Sequence, residues 1–80
     1  RTVREQITDR LAGMIRGRLL RPGDALPGER ELAAQLAVSR ETVRGAIQAL
    51  AALGLVEVAQ GARSRVNPAA RWAPTAPGKP

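Results

Sequence analysis

Apolar positions recur along this chain with a helical period three times and with an alternating period once. Between Thr2 and Gly17, Val3, Ile7, Leu11 and Ile15 fall four residues apart with Met14 beside them, which predicts an amphipathic helix. Glu5 and Asp9 put negative charge near the positive end of its dipole, and Gly17 is the expected terminator. Pro22-Gly23-Asp24 then reverses the chain, Ala25 and Leu26 read as a very short strand, and Pro27 sets the entry to a second helix from about Glu29 to Leu36. Gly28 is the expected cap of that helix, with no side-chain oxygen to offer; Leu32 and Leu36 face inward and Arg30 lies opposite. The third periodic stretch is VSRETVRGAIQALAAL, Val38 to Leu53, with Val43, Ala46, Ile47, Leu50 and Leu53 on one face. Its other side offers Glu41, Arg44, Gly45 and Gln48, with Arg40 at the N-terminal tip.

Ala37-Val38-Ser39 has room only for a tight turn, so the second and third helices must cross steeply, as in a helix-turn-helix. Ser39 caps the third helix through its hydroxyl, available to the amide of Glu41 or Thr42. A left-handed residue in this turn would fall on Ala37, where a side chain costs about 1 to 2 kcal/mol. Gly54 ends the third helix, Leu55 to Ala59 alternate as a strand, and Ser64 to Asn67 form a second, with Gln60 to Arg63 at the hairpin tip. The expected fold is therefore mainly α with a small β-hairpin: a winged helix-turn-helix of three helices and a two- to three-stranded wing, spanning residues 1–67. From Pro68 to Pro80 small residues and prolines alternate without period, which predicts a linker or disordered tail. The chain begins with Arg rather than Met and reads as a domain excised from a longer protein.

Composition narrows the chemistry. Eighty residues make one small domain that buries only about 60–65% of its unfolded surface. With no Cys or His there is no disulfide, no thiolate or imidazole for a metal, and no recognisable catalytic arrangement, so neither an enzyme nor a cofactor is expected. The net charge of +6, with 12 of 13 basic residues being Arg, favours a polyanion as partner; a bias in base composition would leave the same surplus. No run of apolar residues reaches membrane-spanning length and no signal peptide is visible, which predicts a cytoplasmic protein with no membrane partner. The first helix carries acids on its polar face and no interfacial aromatic, so it should pack rather than lie on lipid.

Placed in order, L-x-P-G-x-x-L-P (Leu20 to Pro27), E-R-E-L-A (Glu29 to Ala33), V-S-R-x-T-V-R (Val38 to Arg44) and G-L-V…G (Gly54 to Gly61) resemble the N-terminal DNA-binding domain of the GntR family of bacterial transcription regulators, over about Val3 to Val66. The resemblance implies sequence-specific binding of double-stranded, pseudo-palindromic operator DNA, typically by a repressor. The recognition helix, residues 40–53, would enter the major groove and the wing, residues 60–65, would approach the minor groove. It also implies a homodimer on DNA and a small-molecule effector sensed by a C-terminal domain absent from this chain. By position, Arg30, Arg40 and Arg44 match the family's DNA-contacting arginines, Ser39 and Thr42 its phosphate or base contacts, and Gly61 its wing-tip glycine. The residue types suit those roles, since an arginine fork can take guanine O6 and N7 together and small hydroxyls at a helix N-terminus suit phosphate.

Other positions keep two readings. Glu41 either stabilises the helix N-terminus or accepts from cytosine N4. Gln60 precedes the wing glycine where some relatives carry His, and Gly61 would serve a hairpin tip whatever lies beside it. Arg63 and Arg65 either neutralise phosphates or keep the wing soluble. Arg71-Trp72 would belong to the first helix of the following domain, and the wing and linker look more like the FadR-type branch than like the others. Lacking a spare apolar stripe, the isolated domain is expected to be monomeric and to pair on DNA. The competing function is a winged-helix interaction module that docks an acidic protein.

Overall fold

The computed structural model describes residues 2–59 and 63–74 of the chain. Its elements are α1 (Val3–Arg16), α2 (Glu29–Leu36), α3 (Arg40–Ala52), β1 (Val56–Glu57) and β2 (Arg65–Val66), followed by a 3-10 turn at Ala69–Arg71. Three helices and a two-stranded antiparallel ribbon give the winged helix-turn-helix that the residue pattern predicts.

α1 starts at a full capping box: the Thr2 hydroxyl accepts from the Glu5 amide at 3.0 Å and the Glu5 carboxylate accepts from the Thr2 amide at 3.0 Å. Ile7, Leu11 and Ile15 are buried, but Val3 is 52% exposed. It lies one turn too early, beside the exposed N-terminal turn of α3, where it lines a surface depression with Ser39, Glu41 and Thr42. Gly17 caps α1 without taking a left-handed conformation (φ −84°); Arg18 takes it instead, at φ 67°. Glycine at 17 serves a different need, because a Cβ there would stand 2.9 Å from the Gly13 carbonyl oxygen.

In the following loop the Asp24 amide donates to the Arg21 carbonyl at 2.9 Å with Gly23 at φ 91°, a type II turn that glycine makes easy. This loop runs beside β2. The Gly23 and Leu26 amides donate to the Val66 and Ser64 carbonyls, and Ala25 forms an isolated bridge to Arg65 where a third short strand was expected. Gly28 caps α2 with no side-chain hydrogen bond, and Ala37 does adopt the left-handed conformation (φ 57°, ψ 46°). The Val38 amide returns to the Ala33 carbonyl at 3.0 Å, closing the turn between α2 and α3.

On α3 the buried residues are Val43, Ala46, Ile47 and Leu50. Leu53, expected on the same stripe, is the C-cap and is partly exposed; Gly54 at φ 75° turns the chain so that Leu55 takes the inner position, fully buried. The strands are shorter than the alternation predicts, with Val56 opposite Val66 and Glu57 opposite Arg65. Val58, the next inward position by alternation, is 53% exposed and lines an open groove.

Residues 68–74, expected as linker, fold back onto the helices. The Ala73 amide donates to the Leu53 carbonyl at 2.7 Å, Arg16 donates to the Ala73 carbonyl at 2.7 Å, and the Trp72 indole donates to the Asn67 carbonyl at 2.8 Å. The Arg18 guanidinium lies over the Trp72 ring, 5.5 Å from its centroid. Arg71 closes a 3-10 turn and Trp72 is extended, so this pair does not belong to an α-helix. None of these contacts leaves a period in the sequence, since three end on backbone carbonyls and the fourth on a lone aromatic. Among the described residues no helix is long and apolar enough to cross a membrane.

Candidate nucleic-acid interface

The outer side of α3 meets the start of α2 and the wing in a groove of about 570 Å³, lined among others by Gly28, Glu29, Arg44, Gln48, Val58 and Arg63. Its floor is apolar, where Leu32, Val43 and Ile47 come up from the core, and its rims are charged. Sequence order alone separates these residues by as much as half the chain; the tight turn at Ala37 and the reversal at Gly54 bring them together.

Ser39 holds the exposed end of α3. Its hydroxyl accepts from the Thr42 amide at 3.1 Å and lies 2.8 Å from the Thr42 hydroxyl. The two hydroxyls and the first-turn amides thus stand together at the positive end of a helix dipole, a suitable place for an anionic oxygen. Arg40, Glu41 and Arg44 project from the first turns, all exposed. Gly45, expected on the same side, faces α1 instead, close enough that a Cβ would stand 2.6 Å from Arg4 Cδ.

The strongest polar contact of this surface involves Glu29, the first residue of α2, which the sequence reading passed over. Arg44 Nε donates to Glu29 Oε2 at 2.9 Å and Arg44 Nη2 donates to Oε1 at 3.0 Å, while Arg40 Nη2 lies 3.8 Å from the same Oε1. The hydrogen bonds from Arg44 hold the Glu29 carboxyl below the usual carboxylate range; partial desolvation opposes this and the charges of Arg44 and Arg40 add to it. The same hydrogen bonds, with the charges of Glu29 and Glu41, push the Arg44 guanidinium up. Both partners therefore stay ionised throughout the neutral range. The only sequence signal for the pair was position: a Glu at the first turn of α2 meets the second turn of α3 once the two helices cross.

The remaining candidates are spread around this centre. Arg30 is exposed on α2 but outside the groove lining, and Arg63 lines the groove from the wing. Arg65 donates from Nη1 to the Gly23 carbonyl at 3.1 Å, against the Pro22-Gly23 turn. Gln60 and Gly61 lie outside the described residues.

Residues 3–66 match the family described as bacterial regulatory proteins, gntR family. The chain belongs to this family. Among curated relatives, the HTH-type transcriptional regulator Mce2R of Mycobacterium tuberculosis is 48% identical over 61 residues, covering 76% of this chain and 25% of that protein. The HTH-type transcriptional repressor NanR of Cronobacter sakazakii is 44% identical over 63 residues, covering 79% and 24%. The crystal structure of AraR(DBD) in complex with operator ORE1 superposes with a TM-score of 0.75 at 33% identity, over 79% of this chain and 77% of that one. The chain thus spans about a quarter of the length of these curated relatives and corresponds to a winged helix-turn-helix domain of GntR-type transcription regulators.

Proposed function

We propose that this domain binds double-stranded operator DNA sequence-specifically, with α3 in the major groove and the wing toward the minor groove. Arg40 and Arg44 read base edges, Glu41 stands beside them, and Ser39 and Thr42 meet a phosphate at the α3 N-terminus. Arg30, Arg63, Arg65 and the wing tip at Gln60 and Gly61 complete the contact. The observation that carries the reading is the pair of exposed guanidinium groups on the first two turns of a serine-capped helix, in a domain whose net charge is +6. The operator named with the AraR structure supports DNA as the partner.

As part of a GntR regulator the domain acts in the cytoplasm, on the nucleoid. It binds pseudo-palindromic sites as a homodimer and represses transcription until a small molecule binds a C-terminal effector domain, with residues 1–67 forming the DNA-binding unit. The test is to select bound duplexes from a random pool and compare Arg40→Ala with the parent on the selected operator and on scrambled DNA. The expected loss is about 1–3 kcal/mol on the operator and much less on scrambled sequence. Equal losses on both would leave Arg40 a phosphate contact. Failure to select any sequence, with retention on an acidic protein surface, would favour the interaction module instead.

A further inference from the structure

A guanidinium group presents two edges on which paired N–H groups point the same way. On Arg44 the side edge, Nε with Nη2, is already filled by the two oxygens of Glu29. The end edge, Nη1 with the second hydrogen of Nη2, is left over, on a side chain that is 54% exposed. The two residues are fifteen positions apart and sit on different helices, so the pairing fixes the guanidinium relative to the domain and not merely to its own helix. The same carboxylate stands beside Arg40. An exposed ion pair contributes little to folding. Its main consequence falls on what the arginines can do next.

We infer that Glu29 is a positioning and specificity-determining residue: it holds the Arg44 guanidinium with its end edge toward the groove, set for the O6 and N7 atoms of a guanine, and withholds that arginine from phosphates. This rests on the reading of Arg44 as a base contact. Two physical effects work together. A guanidinium already oriented loses less freedom when it meets a base, so the operator complex is favoured. A carboxylate beside it cancels much of the arginine's attraction for the backbone and repels phosphate oxygens, so binding to arbitrary sequence is weakened. Glu29 thereby raises the ratio of specific to non-specific affinity from both sides, without touching DNA.

Opposite signs make the inference testable. Binding of the chain and of its Glu29→Ala, Glu29→Asp and Arg44→Ala variants is measured on a selected operator and on a scrambled duplex, over a series of salt concentrations. Thermal melts followed by circular dichroism establish that each variant is folded. For Glu29→Ala the operator affinity is expected to fall by about tenfold, the size of one modest base contact. Affinity for the scrambled duplex is expected to rise severalfold, with a salt slope steeper by about 0.9 per half-site as the freed Arg44 takes up a phosphate. Glu29→Asp keeps the charge but is one methylene too short to fill both donors; it should lose operator affinity while leaving the scrambled duplex unchanged. If Glu29→Ala moves both affinities the same way by the same factor, Glu29 is only a charge near the backbone and the inference fails. If Arg44→Ala leaves the ratio of operator to scrambled binding unchanged, the base-contact reading of Arg44 fails, and the role of Glu29 with it.

Discussion

The two ends of α3 are held in opposite ways. At its C-terminal end Leu50 is fully buried, Gly54 turns at φ 75°, and Leu55 and residues 67–73 close over the last turn with hydrogen bonds from Leu55, Asn67 and Ala73. At its N-terminal end, among the described residues, the Ser39 cap and the Glu29 carboxylate are what fix side chains by hydrogen bonds, and Arg40 and Arg44 are each more than half exposed. One end is anchored by backbone geometry and burial, and the other is tuned by a few polar contacts. A helix that has to enter a groove tip first needs this asymmetry: rigidity has to come from the end that never touches the partner, because burying the tip would remove the groups that do the contacting.

Substitutions at the two ends should therefore differ in kind. Gly54→Ala is expected to have the largest effect on folding. The added Cβ would need a left-handed backbone and would run into the Arg71 carbonyl. A loss of about 3 kcal/mol in urea unfolding is expected, large for a domain whose whole stability is roughly 4–12 kcal/mol. A loss of only about 1–2 kcal/mol, the cost of the left-handed backbone alone, would show that residues 71–73 do not press on the end of α3 in solution. Ser39→Ala, at the other end, should cost about 1 kcal/mol in the same measurement, with Ser39→Asp keeping most of it. If its cost matched that of Gly54→Ala, the asymmetry would vanish. The smallest effect is expected on the wing. Arg63 lines the groove while Arg65 spends a donor on the Gly23 carbonyl, so Arg63→Ala should lower the salt slope of DNA binding by about 0.9 per half-site and Arg65→Ala should change it less. The reverse order would place Arg65, not Arg63, on a phosphate.

How much of this was readable beforehand follows from what leaves a period. The three helices were legible because Ile7, Leu11, Ile15, Leu32, Val43, Ile47 and Leu50 repeat with the helix and meet in one cluster. Ser39 was legible because an isolated Ser before an apolar-periodic run has a specific capping chemistry, whereas the left-handed backbone at Ala37 was only conditional, because alanine does not announce it as glycine would. Alternation overstated the strands, since it registers Val56 and Val58 alike although Val56 is buried and Val58 stands exposed over the open groove. Glu29 was passed over because its partner is chosen by the crossing of two helices, a tertiary quantity. The packing of residues 68–74 was invisible for a related reason: a carbonyl of Leu53 has no sequence signature.

Trp72 has a further consequence, of a practical kind. The chain holds no Tyr and this single Trp, so its near-ultraviolet emission comes from one indole, seated under the Arg18 cation with its N–H on the Asn67 carbonyl. The domain therefore carries its own optical gauge, placed at the seam between the C-terminal segment and the helices. A red shift in that emission would report the segment lifting away before any helix had begun to melt.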